Sequence, residues 1–174
     1  MACDNEYAAM IAVIGCGNLG RTDDGLGPEV IRILSASGLA QSPGVRLLDA
    51  GTDGMAVMFA ARGCDRLIIV DACRSGAEPG AIFEAPGAEL ESKHGPSLTL
   101  HDFRWNHALF AGRRLLGETF PAAVTVFLVE AGSVEFGIGL TPDVAAAAAR
   151  VAERIQQLAR RHVSPRSEAA SAAS

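Results

Sequence analysis

Three aspartates carry the first chemical signal in this chain. Each follows an apolar run: Asp24 in the loop after residues 10–14 (MIAVI), Asp49 after residues 45–48, and Asp71 after residues 66–70 (RLIIV). Carboxylates gathered on one rim repel each other and are costly to desolvate. A bound cation relieves that cost, and so does protonation or a nearby arginine. Histidine is the remaining usual ligand type, and the chain has His94, His101, His107 and His162. His101 opens a helix-like stretch after Ser97-Leu98-Thr99-Leu100. His107 lies six residues on, on a different part of the same helix surface, without the one-turn spacing of a shared zinc site. His94 sits in a Gly/Pro/Ser-rich loop and reads as exposed. His162 sits at a helix end and reads as solvated.

Every one of these residues also has an ordinary reading. Asp24 serves equally well as a first-turn acid of the next helix, worth about 1 kcal/mol. Asp71 reads as a turn former at a strand end, and a lone histidine as a hydrogen-bonded structural residue. Spacing alone does not decide between them.

The elements that must position these groups alternate in type. Residues 10–14, 45–48 and 66–70 read as strands, 81–85 as a short strand and 124–129 as a further one. Residues 25–38, 53–62 and 101–116 carry apolar side chains at helical spacing. A last helix starts at Thr141-Pro142-Asp143, with Thr141 supplying an N-cap oxygen, and runs to about Arg161. Strands that are apolar without alternation, separated by helices, imply an α/β domain with a doubly wound, mostly parallel sheet and helices on both faces. Ligand sites in such sheets form at the carboxyl ends of the strands, where the aspartates lie.

Bulk properties narrow the field. The 174 residues suit one domain, taken as 1–163, with a Ser/Ala-rich tail, 164–174, expected to be disordered. Apolar residues make up 49% and the net charge is −5, with no basic block. That is a poor match to nucleic acid or an anionic membrane face. The apolar run at residues 7–14 is too short for a signal peptide or a bilayer span, so a cytoplasmic protein is expected. Cys3, Cys16, Cys64 and Cys73 form no C-x-x-C pair, which leaves out a zinc knuckle or thioredoxin-like motif. They read as core or near-core residues. Gly15-x-Gly17-x-x-Gly20 matches a dinucleotide fingerprint. Two aspartates stand where a pyrophosphate would meet the helix, and Asp49 comes later than the ribose-binding acid is expected.

Taken together, Gly15-Cys16-Gly17-Asn18, Asp23-Asp24-Gly25-Leu26-Gly27, Asp49-Ala50-Gly51-Thr52-Asp53-Gly54, residues 67–72 (LIIVDA) and residues 137–142 (GIGLTP) resemble the hydrogenase maturation endopeptidases in order and spacing, over about residues 10–160. The resemblance implies removal of a C-terminal peptide from the large-subunit precursor of a [NiFe] hydrogenase after nickel insertion. It also implies nickel, brought by that substrate, as the metal. By the same resemblance, Asp24, Asp71 and His101 correspond to the residues implicated in contacting nickel, and Asp49 to a second functional position. The sequence Phe103-Arg104-Trp105-Asn106-His107 departs from the Gly/Ala-rich stretch of many members, which leaves His107 as a rival to His101. Phe103 and Trp105 read there as packing or docking residues. A non-catalytic chaperone on the same fold and a nucleotide-binding domain are the alternative readings. Oligomeric state is open.

Overall fold

The computed structural model describes residues 10–91 and 103–163. Its five-stranded sheet has the order β2-β1-β3-β5-β4. The strands are β1 (Ile11–Cys16), β2 (Val45–Gly51), β3 (Arg66–Cys73), β4 (Ile82–Pro86) and β5 (Ala123–Glu130). β2, β1, β3 and β5 pair in parallel, and β4 closes the edge antiparallel to β5. The helices are α1 (Leu26–Ala36), α2 (Gly54–Ala61), the short α3 (Gly87–Leu90), α4 (Trp105–Leu116) and α5 (Pro142–Val163). This is the mostly parallel α/β sheet expected.

The two-residue period of the strands sorts the core into two halves. Ile11, Val13, Ile68, Val70, Phe127 and Val129 face α1 and α5. Ala12, Ile14, Leu67, Ile69, Val124 and Val126 face α2 and α4. Every residue of β1 is buried, because helices cover both of its faces. Ile68 and Ile69 point in opposite directions and are both fully buried, each worth roughly 1.5–3 kcal/mol. A slip of one residue would exchange the two halves of the core, so the register is strongly specified. On α5 the buried set is Val144, Ala147, Ala148, Val151, Ala152, Ile155 and Ala159, the stripe of an amphipathic helix.

Several boundaries differ from those read in the sequence. β3 continues past Asp71 to Cys73, and β2 past Asp49 to Gly51, because both keep pairing with neighbours. The fourth helix begins at Trp105, not 101; Arg104 is its N-cap residue, in extended conformation. At the start of α5, the Thr141 hydroxyl donates to Asp23 at 2.9 Å. Residues 92–102, including His94 and His101, and residues 164–174 lie outside the described residues, as does Cys3. Among the described residues, no helix is long and apolar enough to cross a membrane.

Candidate active site

The chain leaves β1, winds to β2 on one side, then crosses to β3 on the other. That reversal opens a crevice at the carboxyl ends of β1 and β3. A cleft of about 440 Å³ lies there, and Asp24 and Asp71 both line it. Arg21, Arg74, Arg104 and Trp105 complete its charged and aromatic wall.

Asp24 reaches the cleft through a tightly folded loop. Residues Thr22–Gly25 form a single 3-10 turn, and α1 starts only after it. Asp24 therefore does not cap α1. Its Oδ2 accepts from the Asn18 backbone N–H at 3.0 Å, and its backbone carbonyl accepts from the same group. Gly17 sits beneath with φ 128°, and a Cβ there would fall on the Asp24 carbonyl oxygen. The loop thus fills with its own backbone the space above Gly17 that a pyrophosphate would need. This argues against the dinucleotide reading.

Asp23, next in sequence, does the opposite job. It is fully buried. Its Oδ1 accepts from Thr141 N at 2.6 Å, and its Oδ2 from Gly132 N, Ser133 N and Thr141 Oγ1 at 2.8–2.9 Å. One side chain therefore ties the β1–α1 loop to the β5–α5 connection and holds Asp24 in place.

Asp71 is half-buried near the end of β3. Its Oδ2 accepts from the Trp105 indole N–H at 2.8 Å and its Oδ1 from Ala72 N at 2.9 Å. Burial pushes its carboxyl up to about 6; the bonds from Trp105 and Ala72 oppose this, the charge of Asp24 adds to it and Arg104 opposes it. Asp24 thus acts electrostatically on Asp71, across the shared cleft.

Trp105 is set by the chain before it. Gly54 N donates to Phe103 O at 3.1 Å, and a Cβ on Gly54 would fall on the carbonyls of Phe103 and Arg104. The 103–104 segment therefore lies directly on the start of α2. Asp53 caps that helix through Met55 N and Ala56 N.

The remaining positions fall elsewhere. Asp49 is exposed, accepts from Gly51 N at 2.9 Å and lines a shallow recess beside the main cleft. His107 accepts from Arg104 N through Nδ1 at 3.3 Å, so it closes the start of α4 and does not line the cleft. His101 lies outside the described residues. Among those described, no three His, Cys, Asp or Glu side chains are grouped to hold a metal. Cys16 and Cys64 are buried and Cys73 half-buried; burial is the main cause that raises each thiol, Cys73 to about 12. His162 is half-buried rather than solvated, and its Nε2 has no partner among the described residues.

Sequence reasoning missed Asp23, Trp105 and Glu130. Glu130 ends β5 as Asp71 nearly ends β3, so the rule that acids at strand ends matter already pointed to it. Trp105 carried no such signal, since its donor role is defined by its partner Asp71. Nothing in the sequence separates Asp23 from Asp24.

Fold and cleft together define a doubly wound α/β protein with two carboxylates lining a cleft at its switch point. The chain matches the hydrogenase maturation protease family over residues 28–158 and belongs to it. It is 33% identical to the hydrogenase 2 maturation protease of Escherichia coli over 137 residues, 78% of this chain and 82% of that protein. It is 36% identical to the coenzyme F420 hydrogenase subunit delta of Methanothermobacter thermautotrophicus over 97 residues, 51% of this chain and 61% of that protein. Among solved structures, the hydrogenase maturating endopeptidase HybD from Escherichia coli superposes with a TM-score of 0.73 at 29% identity, covering 87% of this chain and 93% of that one.

Proposed function

We propose that this protein is a cytoplasmic endopeptidase that removes the C-terminal peptide of a [NiFe] hydrogenase large-subunit precursor once nickel has been inserted. Asp24 and Asp71 contact the nickel that the substrate carries, and His101 supplies the third contact. The observation that supports this most is the convergence of Asp24 and Asp71 on one cleft. Two carboxylates on one cleft wall, the charge of Asp24 adding to the rise at Asp71, are a donor set suited to a divalent ion. Hydrogen bonds to Asp71 from Trp105 and Ala72 leave it lone pairs to offer the cleft.

The reaction is attack of water on a peptide carbonyl. The chain's residues orient the substrate in the cleft, and one of the two carboxylates takes the proton of the attacking water. That proton then goes to the leaving amine. Substrate-borne nickel supplies Lewis-acid polarisation. Requiring nickel for binding explains why an immature precursor would be left intact.

The test uses nickel-loaded and nickel-free precursor, with release of the C-terminal peptide read by intact mass. The wild type should cleave only the loaded form. Asp71→Asn and Asp24→Asn should each lower the rate by at least about a hundredfold with the fold retained by circular dichroism. Binding of the loaded precursor without cleavage would replace this reading with a chaperone. Normal cleavage by Asp71→Asn would remove Asp71 from the site.

A further inference from the structure

The loops beside the cleft expose large apolar side chains that the core does not use. Leu19 is 54% exposed, Phe136 82% and Ile138 88%. A single exposed leucine needs no explanation. These three sit on two loops that the chain fastens together at unusual length. Gly137 bridges to Arg21; its N–H donates to Gly20 O at 3.1 Å and its carbonyl accepts from Thr22 N at 3.0 Å. Thr22 Oγ1 donates to Ser133 O at 2.8 Å, and Asp23 anchors the same connection from below. Phe136 and Ile138 flank Gly137, the residue that makes the bridge.

The ridge is continuous with the cleft. The Arg21 guanidinium lies 4.5 Å over the Phe136 ring, and Arg21 also lines the cleft with Asp24. Leu19 borders a second recess of about 170 Å³ with Leu140 and Ala145 on its wall.

We propose that Leu19, Phe136 and Ile138 form a docking ridge for the folded body of the large-subunit precursor, next to the cleft that takes its C-terminal segment. This rests on the maturation-protease reading. The occupant is the folded body of that precursor: Arg21 joins the ridge to the cleft, so a substrate whose C-terminal segment enters the cleft brings its body over the adjoining loops. Tied loops lose little conformational freedom on binding, so apolar burial on them converts efficiently into affinity. A phenylalanine stacked by an arginine is also the composition that anchors protein interfaces.

The test is steady-state cleavage of nickel-loaded precursor by the full chain and by the double variant Phe136→Ser, Ile138→Ser. The KM should rise about tenfold or more, with kcat within about twofold of wild type. Ile138→Glu alone, at a side chain that touches almost nothing, should raise KM even if the double variant folds poorly. An unchanged KM in both would overturn the ridge, as would a loss confined to kcat. So would a wild type that dimerises in sedimentation while the variant is monomeric with unaltered KM. Direct precursor binding separates the two ideas. A wild type that binds through the ridge without cutting ends the protease reading alone. A wild type that cuts, beside a variant of equal KM, ends the ridge alone.

Discussion

Glu130 and Asp71 stand near the ends of neighbouring parallel strands, with Glu130 opposite Cys73 in register. Their carboxyl groups are driven in opposite directions. Glu130 is only 4% exposed, yet its carboxyl is held down at about 2. Ser75 donates to it from backbone and hydroxyl, Gly76 from its backbone and Cys73 from its thiol. Asp71 is less buried but has two donors, and its carboxyl rises to about 6. Burial is the main cause of the rise at Asp71, and the donors aimed at the charged form are the main cause of the fall at Glu130. Asp23 and Asp24, one residue apart, differ in their hydrogen bonding: Asp23 is saturated inside the protein and Asp24 opens on the cleft. The saturated acids fix loops, and Asp24 and Asp71 line the cleft.

The largest expected effect is on a saturated acid. Asp23→Ala strands three backbone N–H groups and should lower stability by roughly 3 kcal/mol, read by urea unfolding. Cleavage should fall with it as the Asp24 loop loosens. A loss below about 1 kcal/mol would mean that water replaces the carboxylate. The next effect is on the open site. Trp105→Phe keeps the ring and deletes the donor to Asp71, so kcat should fall about tenfold with little change in melting temperature. Unchanged kcat would show that Asp71 does not need the indole.

The smallest effect is on acid stability. The folded carboxyl of Glu130 lies below its ordinary value of about 4.5. Its stabilising contribution is therefore complete above about 4.5 and lost as pH falls towards about 2. Glu130→Gln should melt lower than wild type at pH 6, with the gap closing by pH about 2. A gap that persists undiminished to that pH would mean the charge is not what holds the Ser75 loop.

Much of the fold was legible because strands buried on both faces leave long apolar runs, and β1, β3 and β5 were each located from such runs. Boundaries drifted at Asp71 and Asp49, where polar residues stay in the strand because a partner strand continues beside them. The start of α4 drifted for a related reason. The segment at Phe103–Arg104 is pinned to α2 through Gly54, a contact between positions far apart in the chain. At the site, Asp24 and Asp71 could be singled out by type and position. Trp105 as the donor to Asp71, Asp23 as a staple and His107 as the closing group of α4 could not, since each role is defined by its partner.

The amino-acid sequence alone determined the layered α/β architecture and the rim on which acids gather, because apolar periodicity is a local property that burial must satisfy. Which acid is saturated with donors and which opens on the cleft was decided only by the tertiary structure. That choice depends on how many N–H groups from distant segments point at each carboxylate, and chain neighbours as close as Asp23 and Asp24 receive opposite answers.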